Sequence, residues 1–162
     1  DHGIYIDPLK WSQIIFNLNL NKNTLLVGPS GTAKTYIASY LSSITSSSLT
    51  TLDMSTTFDP VTSLIGTHRH NMDKGGSYFD RAPFTYALQK PGHILLDELT
   101  RATPQALNIL FPVLDWRREL YMDMAPSDEE RVIKVHKDCW LIGTANLGAD
   151  YTGTSELDKA LK

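Results

Sequence analysis

The residues best suited to binding phosphate groups form one eight-residue segment, Gly28-Pro29-Ser30-Gly31-Thr32-Ala33-Lys34-Thr35. Its small residues let the chain curl so that several backbone N–H groups point inward, and a helix that follows adds its positive N-terminal end. In such a loop Lys34 reaches the β- and γ-phosphates, and the hydroxyl of Thr35 is a magnesium ligand. The segment therefore predicts binding of ATP with Mg²⁺. Ala33 stands where the pattern has a second glycine, and its Cβ is expected to strain the turn or crowd a phosphate.

Two acidic residues, Asp97 and Glu98, follow the apolar run 93–96. A carboxylate at the end of a buried strand next to a phosphate loop can hold magnesium, and Asp97 takes that role. Glu98 can accept a proton from an attacking water. By itself the pair could equally cap a helix, because acidic residues favour helix starts. The phosphate-binding segment favours the chemical interpretation.

Asn146 follows Trp140-Leu141-Ile142-Gly143-Thr144-Ala145, and the stretch 144–146 falls at the end of a predicted strand. Its amide can both donate and accept hydrogen bonds, so it could position a water molecule beside the phosphates. Ordinary turn chemistry explains an asparagine at this place equally well.

The elements that carry these residues alternate along the chain. Apolar runs predict strands at 24–27, 49–54, 93–96 and 139–142, and helical spacing of apolar residues predicts helices between them. This alternation predicts an α/β fold in which a parallel sheet is covered by helices on both faces. Ligands of such sheets bind at the carboxyl ends of the strands, where all three polar groups are expected to meet.

Composition places the chain among ordinary globular domains. It has 162 residues, 41% hydrophobic and 20% charged, with a net charge of −3. This length favours one domain, and no apolar stretch is long enough to cross a bilayer. The single cysteine, Cys139, favours a reducing compartment, so we expect a cytoplasmic protein. The mild negative charge disfavours a broad nucleic-acid-binding face.

Taken in order, these motifs resemble those of an AAA+ ATPase of the dynein-related and MoxR-type group. The segment 28–35 resembles the Walker A motif, Leu95–Ala102 resembles Walker B with the residues after it, and 141–146 resembles the sensor 1 strand. The segment 151–158 is similar to the Gly-Thr-x-x-Leu stretch that leads towards the arginine finger. The resemblance covers nearly all of the chain and implies a P-loop NTPase core over residues 1–162.

The resemblance implies a motor that hydrolyses ATP and works as a ring. Glu98 would be the general base, Asn146 the sensor residue and Lys34 a catalytic phosphate contact. The chain would form a homo-oligomeric ring, with a hexamer as one expected size, and would remodel a protein substrate or adaptor. The insert around 56–81 would project into the ring pore. Arg101 and Arg117 match family arginines that could face a neighbouring nucleotide, and surface ion pairing explains them at least as well.

The family's arginine finger, fifth core strand, helical lid and sensor 2 would follow residue 162. We therefore expect the sequence to be a piece of a longer protein, with the lid absent. Without the fifth strand, the strand at 24–27 is expected to lie at an open edge of the sheet.

Three other interpretations stay open or compete. One keeps the fold but makes the domain a nucleotide-gated assembly module with little turnover, which Ala33 supports. Another is a DNA-directed ATPase of helicase or restriction type, contacting DNA through His68-Arg69-His70 and Lys74. A zinc site is the least favoured, since tetrahedral geometry would need four ligands brought together from His68, His70, His136 and Cys139.

Overall fold

The computed structural model describes residues 5–71, 75–125, 127 and 131–146. The segment 151–158 and Lys74, both considered above, lie outside the described residues. Within the described ranges, no helix has the length and apolar character needed to span a membrane. The helices and strands are α1 (Pro8–Asn19), β1 (Thr24–Gly28), α2 (Lys34–Ile44), β2 (Leu49–Asp53), α3 (Pro60–Leu64), β3 (Gly66–His70), β4 (Ser77–Arg81), α4 (Pro83–Leu88), β5 (Gly92–Asp97), α5 (Pro104–Leu114), β6 (Glu119–Tyr121), β7 (Val132–Lys134) and β8 (Cys139–Asn146), with a 3-10 turn at Leu99–Arg101.

The chain divides into two compact units. Unit 1 contains the described residues of 1–55, 92–101 and 140–162, and unit 2 contains those of 56–91 and 102–139. Unit 1 therefore holds α1, α2 and the strands β1, β2, β5 and nearly all of β8. Unit 2 holds α3, α4, α5 and two hairpins.

A four-stranded sheet in the order β1-β8-β5-β2 organises unit 1. β1 pairs in parallel with β8, and β2 pairs in parallel with β5. The predicted α/β fold with a parallel sheet is thus confirmed. The register places Gly28 beside Asn146 and Asp53 beside Asp97, so the ends of neighbouring strands meet at one edge. Among the described strands β1 has one neighbour, which puts it at an edge of the sheet as expected.

β8 is longer than the sequence indicates. We predicted a strand over 139–142, whereas the strand continues to Asn146 and every one of its residues is buried. Gly143 pairs with Leu25 of β1, and a Cβ at this position would lie 2.9 Å from Leu25 Cδ1. The polar residues after Ile142 are therefore held by strand pairing, which fixes their direction more firmly than a loop would.

The core of unit 1 lies between the sheet and its two helices. Buried Trp140 is central to it, and its indole Nε1–H donates to the carbonyl of Lys22 at 2.7 Å. The start of α1 agrees with the sequence: Asp7 accepts from the N–H groups of Leu9 and Lys10 at 2.9 and 3.2 Å. The buried members of this core are Ile14, Ile37, Ala38, Leu41, Leu95, Trp140 and Ile142.

Unit 2 combines short helices with two antiparallel hairpins, β3–β4 and β6–β7. The second hairpin pairs Glu119 with Lys134, Leu120 with Ile133 and Tyr121 with Val132. In the first hairpin Gly66 has a φ of +136°, and a Cβ there would lie 2.3 Å from the carbonyl oxygen of Asp80, so only glycine fits. The fully buried side chains of this unit include Leu64, Leu88, Leu110, Val113, Leu120 and Met122.

Candidate functional site

The loop between β1 and α2 has the backbone of an anion-binding turn. Gly31 and Ala33 both have positive φ, +78° and +59°, and α2 begins directly afterwards at Lys34. Ala33 is the N-cap of α2 and supplies no side-chain hydrogen bond to the first helical N–H groups. These donors and the positive end of the helix can therefore serve a bound anion. The expected strain at Ala33 takes the form of a left-handed backbone conformation, which usually costs a non-glycine residue about 1 kcal/mol or more.

The side chain of Lys34 folds back onto this loop. Its ammonium donates to the carbonyl oxygens of Gly28 at 3.0 Å and Pro29 at 2.7 Å. Thr32 helps to close the turn, because its hydroxyl donates to the same Pro29 carbonyl at 2.8 Å. The cationic group is thus held at the loop by oxygen acceptors that phosphate oxygens could replace.

Thr35 and Asp97, 62 positions apart, are in direct contact. The Thr35 hydroxyl lies 3.0 Å from one Asp97 carboxylate oxygen and 3.1 Å from the other. A hydroxyl and a carboxylate beside a phosphate loop are the oxygen donors that Mg²⁺ takes, with phosphates and waters completing its octahedron. The two residues proposed as metal ligands therefore fit Mg²⁺ by the chemistry of their donors.

Thr144, on β8, joins the two acidic residues. Its hydroxyl accepts from the backbone N–H of Glu98 at 2.9 Å and donates to Asp97 Oδ1. Thr144 is buried, and Asp97 thereby receives hydroxyl donors from both α2 and β8. Thr144 belongs to the stretch 144–146 that was expected at this edge of the sheet, but the sequence assigned it no role of its own. The available signal was strand periodicity, since residues 144 and 146 point to the same face when the strand continues through both.

Glu98 directly after β5 has an unusual backbone and a charged partner. Its φ is +53°, a conformation that is rare for a non-glycine residue and often found at functional sites. One carboxylate oxygen, Oε2, is buried and lies 2.8 Å from Nε of Arg101. Arg101 therefore contacts Glu98 of its own chain, which agrees with the ion pairing given above as the alternative to a neighbouring nucleotide.

A cavity of about 350 Å³ brings the sequence-predicted residues together. Asn146, the last residue of β8 and 93% buried, lines it beside Asp97 and Glu98. Gly28 and Pro29 contribute through their carbonyls to Lys34 but do not line the cavity. Tyr36 lines it, although the sequence analysis did not name this residue. The lining residues are Ser30, Gly31, Thr32, Ala33, Lys34, Thr35, Tyr36, Asp97, Glu98, Thr144 and Asn146.

The remaining candidate residues have other partners or surroundings. Arg117 pairs with Asp115 two residues away, and its hydrogen bond lowers the pKa of that carboxyl. Cys139 is buried, and burial raises the pKa of its thiol to about 11. Within residues 5–71, 75–125, 127 and 131–146, no three His, Cys, Asp or Glu side chains are grouped to hold a metal ion.

Comparisons with known proteins agree with the motifs. The profile of the AAA domain (dynein-related subfamily) matches residues 23–162. An uncharacterized protein of Staphylococcus haemolyticus is 37% identical over 148 residues, which cover 89% of this chain and 53% of that protein. One of Staphylococcus saprophyticus is 36% identical over 149 residues, covering 90% of this chain and 54% of that protein. The chain thus spans about half the length of these curated relatives.

A solved structure shows the same fold. The crystal structure of a candidate ATPase from Cytophaga hutchinsonii superposes with a TM-score of 0.65 at 19% identity, covering 94% of this chain and 42% of that one. With the phosphate loop, the strand-end carboxylates and a profile match over most of the sequence, the chain belongs to the AAA domain family, in its dynein-related subfamily.

Proposed function

We propose that this chain is the ATP-binding and ATP-hydrolysing core of a ring-forming AAA+ motor. The observation that carries the proposal is the single cavity lined by Lys34, Thr35, Asp97, Glu98 and Asn146. These residues come from three separate parts of the sequence and supply a phosphate loop, a pair of metal ligands, a base and an amide. Each has the residue type that phosphoryl transfer from ATP to water requires.

The phosphates of ATP would enter where Lys34 now holds loop carbonyls. Its ammonium exchanges those neutral acceptors for the charged oxygens of the β- and γ-phosphates, which form stronger hydrogen bonds. The N–H groups at the start of α2 bind the same anion. Thr35 and Asp97 would hold Mg²⁺, which neutralises charge on the phosphates when bound.

Hydrolysis requires a water aligned with the γ-phosphorus. Asn146 orients this water through its amide, and Glu98 accepts its proton. A bond forms from the water oxygen to the γ-phosphorus, and the bond to the bridging oxygen breaks, leaving its electron pair on ADP. For this step the Glu98 carboxylate, which lines the cavity, exchanges its contact with Arg101 for the water. An arginine from a neighbouring subunit would stabilise the transferred phosphoryl group, and such fingers contribute 10³–10⁵ in rate.

Remodelling of a protein partner by a homo-oligomeric ring in the cytoplasm, with the hairpin β3–β4 at the pore, belongs to the same proposal. It is supported by family membership and by the position of this hairpin within the insert 56–81. The MoxR-type assignment and the continuation beyond residue 162 also stay predictions.

A nucleotide-gated assembly module with little turnover is the second candidate. The ion pair between Glu98 and Arg101 at 2.8 Å favours it, because Oε2 of the proposed base already has a partner within the chain. The DNA-directed alternative has less support: Arg69, its main contact residue, lies 2.5 Å from Asp80, so its charge is already compensated.

The test is phosphate release by the full-length protein and by its Glu98→Gln variant. We expect the variant to bind ATP and to release phosphate about 100-fold more slowly, since general-base catalysis contributes 10²–10⁴. Lys34→Ala is the control for binding and should lose affinity for ATP itself. If the assembled wild type releases phosphate no faster than Glu98→Gln, the motor proposal is wrong and the assembly module is favoured.

A further inference from the structure

The cavity has one wall that phosphate chemistry does not explain. Ten of its eleven lining residues are loop residues, hydroxyls, carboxylates, a lysine or an amide, all suited to phosphate, magnesium or water. The eleventh, Tyr36, is the only aromatic residue among those that line this cavity. A nucleotide carries a second part, the base, whose flat face binds aromatic rings.

The position of Tyr36 follows from the loop. It is the next residue after Thr35 and lies in the first turn of α2, so it borders the phosphate-binding end of the cavity. Its side chain is exposed although it is large and aromatic, with the residue at 43% of full exposure. An aromatic ring left open beside an anion site offers apolar surface where a nucleotide would extend from its phosphates.

The ring is also supported from behind. Tyr40 lies one helical turn further along α2, and the two rings are stacked with centroids 6.3 Å apart and planes 10° apart. Tyr40 in turn packs against Trp11 of α1, with centroids 6.2 Å apart. This row of three rings restrains Tyr36, so little side-chain entropy is lost when its free face is covered.

We propose that Tyr36 is the stacking residue for the base of the bound nucleoside triphosphate. The inference rests on the proposed function and adds the contact that distinguishes a nucleotide from its phosphates alone. Stacking on an aromatic ring is tolerant of base identity, because every base has a π-face. Tyr36 therefore contributes affinity for nucleotides in general and little discrimination between ATP and GTP.

The experiment compares two probes, ATP and inorganic tripolyphosphate, both with Mg²⁺, by calorimetric titration of the full-length protein. Base stacking is typically worth 5- to 150-fold in affinity when the aromatic residue is truncated. We expect Tyr36→Ala to weaken ATP binding by about tenfold and to leave tripolyphosphate binding within about twofold. Tyr36→Phe, which keeps the stacking face, should bind both probes like the wild type. The ATP to GTP affinity ratio should change by less than about threefold.

Four outcomes would contradict the inference or the proposed function on which it rests. Equal weakening of both probes by Tyr36→Ala would overturn the inference and make Tyr36 a support of the loop. Unchanged ATP affinity would also overturn it. If the wild type binds tripolyphosphate and ATP equally, no base contact exists; if it binds neither, the proposed function itself has failed. Tyr36→Leu serves if the alanine variant does not fold, because it keeps apolar volume without the aromatic face and should still weaken ATP alone.

Discussion

The polar groups at the strand ends of unit 1 and the surface ion pairs of unit 2 differ in burial and in the sequence distance that their contacts join. In unit 1 they meet at the end of the sheet and are joined across long sequence distances, as in Thr35 to Asp97 and Thr144 to Asp97. In unit 2 two ion pairs lie on the surface, Arg117 with Asp115 two residues away and Arg69 with Asp80 across a hairpin. Exposed pairs of this kind contribute about 0–1 kcal/mol, whereas buried hydrogen-bonded groups are costly to leave unpaired.

This difference predicts which substitutions should affect catalysis and stability. A polar group of unit 1 positions another group inside the cavity, so its loss should reduce catalysis and local stability together. When one member of a surface ion pair of unit 2 is removed, water hydrates the remaining charge, so the loss should be tolerated. Three substitutions, given in descending order of expected effect, test this difference between the two units.

The largest effect is expected at Thr144. Thr144→Val keeps the shape but removes the hydroxyl that joins the Glu98 N–H to Asp97, leaving a partly buried donor unpaired at a cost of about 1–3 kcal/mol. We expect phosphate release by the full-length protein to fall by about tenfold or more, with a smaller change in the KM for ATP.

Thr144→Ser is the matched control because it retains the hydroxyl and should keep most of the activity. If both variants lose activity equally, side-chain packing rather than the hydrogen bonds explains the effect. If neither does, the buried network of unit 1 has no role in positioning the carboxylates.

An intermediate effect is expected at His93 as the pH falls. His93 is buried in unit 1, with Nδ1 2.8 Å from the Ser42 hydroxyl and its ring edge-on to Trp140. The Ser42 hydroxyl also lies 3.0 Å from the carbonyl oxygen of Ala38; when it donates there, it accepts from His93 Nδ1–H. Burial lowers the pKa of His93, because a charged imidazolium would lose its hydration there.

The unfolded chain therefore binds a proton more readily than the folded one. The stability that neutral His93 contributes is fully present above pH 6.5 and is lost as the pH falls from there through the lower folded pKa, by at most about 1.4 kcal/mol per pH unit. Hydrogen exchange of the β5 and β8 amides at pH 7.5, 6.5 and 5.5 measures this loss in the full-length protein. A His93→Gln variant should show a shallower decline, and an equal decline in both proteins would contradict the prediction.

The smallest effect is expected at the Arg69–Asp80 pair in unit 2. Both side chains are more than 40% exposed, so Arg69→Ala should change the stability of the β3–β4 hairpin by about 0.5 kcal/mol or less. A double-mutant cycle with Asp80→Ala, followed by hydrogen exchange of residues 66–70 and 77–81, measures the coupling. A coupling above about 1.5 kcal/mol would break the proposed contrast between the units.

Much of the fold was predictable because its signals are local. Helix starts combine a capping side chain with a proline at the first helical position, as at Asp59-Pro60, where the Asp59 carboxylate accepts from the N–H of Thr62, and at Thr103-Pro104. The phosphate-binding loop, the acidic pair and Asn146 were likewise recognisable, because each consists of residues adjacent in sequence or of a polar residue after an apolar run.

The local pattern of residues therefore determines the order of helices and strands and the polar groups at the strand ends. Tertiary structure decided which groups touch: β8 extends to Asn146 because β1 pairs with it, and Thr144 reaches Asp97 because β8 lies beside β5. The reason is that capping and periodicity depend on neighbours a few residues away, whereas these contacts depend on strand order and register, which join positions more than forty residues apart.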